Sequence, residues 1–155
     1  MQGDFVMKML ITGILTVCSL SAFAEEVPPE VHDLIPVLKV WGTDSVLIEA
    51  VKSQNAKSIS LDDIKARDAS WRKTEGLDAE MKGMPSSAAG KKLSEFEKSR
   101  PYYFELFLMD NQGANVSMTN KTSDYWQGDE AKWQESFKGG EGAVHIGEIE
   151  FDESA

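Results

Sequence analysis

The stretch from residue 102 to residue 119 reads YYFELFLMDNQGANVSMT, and it decides the predicted fold. Residues 102–109 form a dense run of aromatic and aliphatic side chains, which is typical of a central β-strand. Residues 110–113 have the composition of a turn. Residues 114–119 follow as a short second strand, so the whole stretch predicts an antiparallel hairpin.

Upstream of the hairpin, apolar residues recur at helical spacing. Over residues 29–54 this pattern predicts a long N-terminal helix, or two helices in line. Pro36 would kink or restart the helix, because it has no N–H and its ring crowds the preceding turn. The interruption at Gly42 is a second kink, or a break after which Thr43 or Asp44 caps the next helix.

Two further helices are predicted before the hairpin. Ser60 is a suitable N-cap for a helix that Gly76 ends, although the polar Asp68 interrupts its apolar stripe before Trp71. Residues 77–85 are ambiguous and are predicted to be irregular but packed. A third helix covers residues 87–99 and stops at Arg100-Pro101.

Downstream of the hairpin, residues 120–128 form a polar segment with two embedded aromatic side chains. A short helix is predicted over residues 129–138, with Trp133 and Phe137 one turn apart. Residues 143–151 alternate over most of their length, which predicts a third strand. Helices therefore precede an antiparallel sheet, and the predicted fold class is α+β.

The N-terminus has the layout of a secretory signal peptide. A lysine at position 8 precedes an apolar run over residues 9–20, and Ala22 and Ala24 form a small-x-small cleavage site. We therefore expect residues 1–24 to be removed, leaving a single domain over residues 25–155 in the periplasm. Asp4 is unusual before such a run, so Met7 is an alternative start. The one cysteine, Cys18, would leave with the signal.

The composition excludes several functional classes. The formal net charge is −10, which disfavours binding to nucleic acid phosphates and to anionic membrane surfaces. No nucleophile elbow, phosphate loop or dinucleotide fingerprint occurs, so we expect neither an enzyme nor a cofactor. The isolated His32 and His145 do not predict a metal site.

Residues 102–151 resemble the periplasmic sensor domains called Cache or PDC, which have a PAS-like sheet behind a long N-terminal helix. The resemblance rests on residues 106–110, 112–116, 119–133 and 140–142, and on the strand running into residues 151–154. In that family the series is strand, turn, strand, ligand-facing loop, short helix and strand. Members usually continue with two more strands, so we expect a truncated copy, a fragment of a longer reading frame or a small variant.

The resemblance implies that the loop at residues 124–129 and the helix after it line a ligand pocket. Two large aromatic side chains between carboxylates are also what a small-molecule site needs. The candidate ligand-binding residues are Tyr103, Asp124, Tyr125, Trp126, Asp129 and Trp133. An alternative is that Trp126 and Trp133 belong to the core, which is favoured for Trp133, and that Asp124 caps a helix.

Two functional hypotheses remain from the sequence. The first is a sensor-type module that binds a small organic ligand, of the carboxylate or amine class, and passes the signal to a separate membrane receptor. The second is a structural or interaction protein that pairs with another chain through an uncompleted sheet edge.

Overall fold

The computed structural model describes residues 27–148 as helices followed by a hairpin and one more short helix. This mixed arrangement agrees with the predicted α+β class. Within these residues the helices are α1 (Pro29–His32), α2 (Ile35–Trp41), α3 (Ser45–Asn55), α4 (Leu61–Lys73), α5 (Ala79–Ser86), α6 (Ala88–Glu97) and α7 (Ala131–Phe137), and the strands are β1 (Phe107–Met109) and β2 (Asn115–Met118). A 3₁₀ turn, Lys138–Gly140, follows α7.

The predicted long N-terminal helix is not observed as one helix, because residues 29–55 divide into α1, α2 and α3. The breaks fall where the sequence places them. Pro36 occupies the first turn of α2, where a missing N–H leaves no helical bond unmade. Asp44 caps α3, since its carboxylate accepts a 2.8 Å hydrogen bond from the Val46 amide.

The second helix begins as predicted. The Ser60 hydroxyl accepts a 3.2 Å hydrogen bond from the Asp63 amide, and α4 ends at Lys73, three residues before the left-handed Gly76. The prediction of an irregular segment over residues 77–85 is wrong. Asp78 caps α5 there, and the helix buries Met81 and Met84 on one face.

The predicted third helix is confirmed as α6, which is capped by Ser87. It approaches α5 closely at Gly90, where a Cβ atom would lie 2.1 Å from the carbonyl oxygen of Met84. Only a residue without a side chain fits at this position. The crossing of α5 and α6 therefore depends on Gly90.

The hairpin is confirmed, but its first strand is shorter than predicted. Phe107 pairs with Met118 and Leu108 with Ser117, whereas residues 102–106 are not in a strand. Tyr102 lies in a turn, which the Tyr103 amide closes by donating to the Arg100 carbonyl, so the prediction that the strand begins at residue 102 is wrong. Asp110 closes the hairpin turn by accepting from the amides of Gln112 and Ala114, at 2.8 and 2.9 Å.

The predicted third strand is not formed over residues 143–148, and the rest of it lies outside the described residues. The backbone pairing next to β2 comes instead from the loop. Ala114 and Trp126 form an isolated antiparallel bridge. The strand order in the sheet is β1, then β2. Residues 125–127 pair with residues 113–115, at the turn end of β2.

Two apolar clusters fill the interior. The larger one joins α4, α5 and the hairpin through Ile64, Trp71, Met81, Met84, Ala114, Met118 and Tyr125. The smaller one joins α3 to α6 through Leu47, Ala89 and Leu93. Of the helices that the structure describes, none has the length and hydropathy to cross a membrane. The expected signal peptide lies outside the described residues.

Candidate functional site

The polar loop at residues 122–128 is fixed to the hairpin by main-chain hydrogen bonds. The Asn115 amide donates to the Tyr125 carbonyl at 2.9 Å, and the Gln127 amide donates to the Gly113 carbonyl at 2.8 Å. Gly113 has a φ of +84°, and a Cβ atom there would lie 2.5 Å from the Cα of Gly128. Loop and hairpin turn are therefore in backbone contact.

A buried carboxylate from α4 holds the same loop from the other side. Asp68 is 7% exposed, and its Oδ1 accepts from the amides of Tyr125 and Trp126 at 2.9 and 3.2 Å. Its Oδ2 lies 2.8 Å from the Arg72 guanidinium. The hydrogen bond from Arg72 to Asp68 is the main reason that the pKa of Arg72 rises above its ordinary value.

Asp124 shapes the start of the loop. Its Oδ1 accepts from the Ser123 hydroxyl at 2.9 Å and from the side-chain amide of Gln127, and its Oδ2 lies 3.7 Å from Arg72. The Asp124 carbonyl also accepts from the Thr122 hydroxyl at 2.6 Å. The carboxylate is thus engaged within the loop rather than capping a helix.

The two aromatic side chains of the loop have different surroundings. Tyr125 is buried against Trp71, with ring centroids 5.4 Å apart, and this burial raises the pKa of its phenol to about 12. Trp126 is half-buried; its indole N–H donates to the Gln112 carbonyl at 2.8 Å, and Lys65 Nζ lies 4.6 Å from its ring centroid. Both rings therefore help to fix the loop.

Trp133, Asp129 and Tyr103 complete the predicted set. Trp133 stacks on Phe137, and its indole N–H donates to the Asp110 carbonyl at 3.2 Å, which ties α7 to the hairpin turn. Asp129 is exposed. Tyr103 lies in a different cluster, where its ring packs against Trp41 with centroids 5.0 Å apart. The structure thus brings together the loop residues but not Tyr103.

Tyr125 also lines an open groove between α3, α5 and β2, with a volume of about 330 Å³. The polar and charged side chains in its lining come from Gln54, Lys57, Glu80, Ser87, Asn115 and Tyr125. Asn115 is 1% exposed, and its Oδ1 has no hydrogen-bond partner among the described residues. A buried acceptor without a partner is uncommon in folded proteins. Within the described residues Gln127 Oε1, which does not line the groove, is a second one.

Two charged side chains line the groove, and of these Glu80 forms an ion pair within the described residues whereas Lys57 does not. Glu80 accepts from Arg67 at 2.6 Å. Lys57 donates to the neutral Gln54 side chain at 2.9 Å and forms no ion pair within residues 27–148. A second groove, of about 480 Å³, adjoins the first at Ser87 and Val116 and is mainly apolar.

No family model, curated protein or solved structure matches this chain.

Sequence reasoning missed Asp68 and three groove residues, Gln54, Lys57 and Glu80. Asp68 carried a signal, because it is a polar residue on the apolar stripe of a helix, between Ile64 and Trp71. Gln54, Lys57 and Glu80 carried none. They are ordinary polar residues of α3, of the turn after it and of α5, and only the arrangement of these segments around β2 gives them a common groove.

Proposed function

We propose that this chain is a periplasmic, sensor-type binding domain of the Cache or PDC class. Its ligand is a small organic molecule of the carboxylate or amine class, held in the groove between α3, α5 and β2. The observation that carries the proposal is the position of Tyr125. It belongs to the loop that the resemblance designates as ligand-facing, and it lines a groove that also contains Lys57, which has no ion-pair partner within residues 27–148.

The order of elements supports the same class. Strand, turn, strand, polar loop and short helix follow one another from β1 to α7, as the resemblance implies, although the strand expected after the helix is not formed over residues 143–148. The loop is held by Asp68 and by Asn115, so its side chains have defined positions before any ligand arrives. Preorganisation of this kind lowers the entropic cost of binding.

The charges of the groove favour a ligand that carries a carboxylate. Lys57 has no acidic partner in the described part of the chain, so a carboxylate would gain an ion pair there without displacing one. Glu80 would meet an amine only in competition with Arg67. The bound state would be read by a separate membrane receptor, which is the partner that an exported module of this class requires.

A thermal melt of the purified protein with a library of organic acids and amines tests this proposal. A ligand at 100 times its dissociation constant stabilises by about 2.7 kcal/mol, which raises the midpoint by several degrees. Lys57→Gln should remove the shift caused by carboxylates, and Lys91→Gln, an exposed lysine of α6 outside the groove, should keep it. A cooperative melt that no compound shifts would overturn the proposal.

A second candidate function is strand-mediated association with another chain. It is favoured by β1, which pairs on one side with β2 and has no strand on its other side within residues 27–148. Such an edge can accept a strand from a partner. Sedimentation at several concentrations separates the two candidates, because a strictly monomeric protein would remove the support for association.

A further inference from the structure

A separate cavity lies between the N-terminal helices and the turn that follows α6. Its volume is about 450 Å³. It is distinct from the groove at Tyr125, and no residue lines both. The lining consists of Asp33, Leu34, Val37, Trp41, Ser99, Arg100, Tyr102 and Tyr103.

Three aromatic rings in this lining stand at steep angles to one another. Trp41 and Tyr103 have ring centroids 5.0 Å apart and planes inclined at 69°. Tyr102 and Tyr103 are also 5.0 Å apart, with planes inclined at 68°. Rings set at such angles form a corner rather than a flat stack. Trp41 is held in place by stacking on Phe96, with centroids 4.4 Å apart.

The same cavity contains one acidic and one basic side chain. Asp33 and Arg100 both line it, and neither forms an ion pair with any residue that the structure describes. Among the described residues, the Arg100 guanidinium donates to the carbonyl of its neighbour Ser99, at 2.9 Å. Burial, with a contribution from Tyr102, raises the pKa of the Tyr103 phenol, and Arg100 acts in the opposite direction.

We propose that this cavity binds a small zwitterion that carries a quaternary ammonium group and a carboxylate. Aromatic rings attract a methylated ammonium group through their faces. A quaternary ammonium group also loses less hydration on binding than a primary ammonium group does. Asp33 supplies the countercharge for that end. Arg100 supplies a fork of donors for the carboxylate. A simple cation would use the rings and Asp33 but would be repelled by Arg100.

This inference does not rest on the function proposed for the groove. It uses residues of α2, of the turn between α1 and α2, and of the turn after α6. Its ligand differs in having methyl groups on nitrogen. A compound that binds here should still bind when Lys57 is replaced by glutamine. The two proposals can therefore fail separately.

Calorimetric titration of the purified protein with trimethylglycine, glycine and choline tests the inference. We expect saturable binding of trimethylglycine and none of glycine. Tyr102→Ala should weaken binding about two- to fivefold, as the loss of one cation–π contact at an exposed ring implies. Phe104→Ala is the matched control, because this neighbouring aromatic residue is 71% exposed and lies outside the cavity. Equal losses in the two variants would contradict the assignment.

Arg100→Gln separates the two ends of the ligand. It should weaken the binding of trimethylglycine about tenfold, as expected for the loss of a charge-assisted hydrogen bond, and leave choline binding unchanged or tighter. If trimethylglycine shows no saturable binding, or glycine binds as well as trimethylglycine does, the inference is wrong. Because Tyr102 and Arg100 are both exposed, we expect these variants to fold, which a thermal melt would verify.

Discussion

The Oδ1 atom of Asp68 lies 2.9 Å from the amide nitrogen of Tyr125, although 57 residues separate them in the chain. This hydrogen bond connects the middle of α4 to the loop beside β2. The same oxygen also accepts from Trp126, so one buried carboxylate satisfies two consecutive amides. The position of Tyr125 in the groove depends on this connection.

Replacing Asp68 by alanine should destabilise the protein by about 3 kcal/mol, because it leaves two largely buried amides without an acceptor. It should also reduce ligand binding in the groove by releasing the loop. Urea denaturation measures the first effect. Asp62→Ala is the control: this exposed carboxylate of the same helix should cost less than about 1 kcal/mol. Equal costs for the two variants would show that Asp68 does not anchor the loop.

The two glycines near the α5–α6 crossing should respond in opposite directions to the same change. Gly90→Ala would place a Cβ atom 2.1 Å from the Met84 carbonyl oxygen, and this overpacking should cost about 1–3 kcal/mol. Gly83→Ala, inside α5, has no atom within 4 Å of the added Cβ. It should stabilise by about 0.5–1 kcal/mol through helix propensity. Thermal melts measure both. A Gly90→Ala protein as stable as the wild type would contradict the packing described here.

Tyr125 should make stability fall at alkaline pH. Burial raises the pKa of its phenol to about 12, whereas an unfolded tyrosine ionises near its ordinary value of 10.0. The unfolded chain therefore loses this proton first, so the contribution is complete below pH 10 and is lost as the pH rises toward 12. Denaturation of the wild type and of Tyr125→Phe across this interval measures it. The variant should show the shallower decline; parallel curves would contradict the assignment.

The indole N–H of Trp126 should contribute to stability through its bond to Gln112. Trp126→Phe keeps an aromatic ring but leaves the Gln112 carbonyl without this 2.8 Å donor, so it should cost about 1 kcal/mol or more. Trp133→Phe is the matched comparison, because its bond to the Asp110 carbonyl is longer, at 3.2 Å. Urea denaturation should rank Trp126→Phe as the more damaging change. The reverse order would mean that the hydrogen bond to the Gln112 carbonyl is not what makes Trp126→Phe destabilising.

We expect the chain to be exported and, once processed, to begin at Glu25. Cleavage after Ala24 follows from the small residues at positions 22 and 24. N-terminal sequencing of the protein recovered from the periplasmic fraction checks this. Recovery of the chain only with its first 24 residues would contradict the predicted signal peptide.

The sequence predicted those features of the fold that depend on short-range interactions, namely turns and helix caps. The hairpin turn depends on Asp110 and Gly113, and α3 and α4 begin at the caps Asp44 and Ser60; each of these acts on residues within four positions of itself. Such short-range effects leave a visible pattern. Their elements were predicted to within a few residues.

Sequence patterns could not predict the features of the fold that depend on long-range packing. Residues 77–85 contain Gly83 and Pro85, which disfavour a helix, yet α5 forms because Met81 and Met84 complete the core under α4. Tyr103 lies near the start of a strand-like run, but its ring packs against Trp41 of α2. In both cases tertiary contacts outweigh local preference.

The candidate site divides in the same way. Tyr125 and Trp126 were selected as candidate ligand-binding residues because aromatic residues are conspicuous in a polar loop. Their partners Asp68 and Gln112 were not, since nothing in the sequence says which helix or turn the loop will meet. For Trp126, the hydrogen bond to Gln112 supports a fixing role, which was one of the two alternatives.

Amide chemical shifts of the ¹⁵N-labelled protein, recorded with and without the organic acids, test the central claim most directly, because they locate a ligand as well as detect it. The account predicts saturable shifts for one carboxylate at Gln54, Asn115 and Tyr125, and their loss in Lys57→Gln. Spectra of a folded protein that no compound changes, or changes confined to residues far from Tyr125, would contradict it.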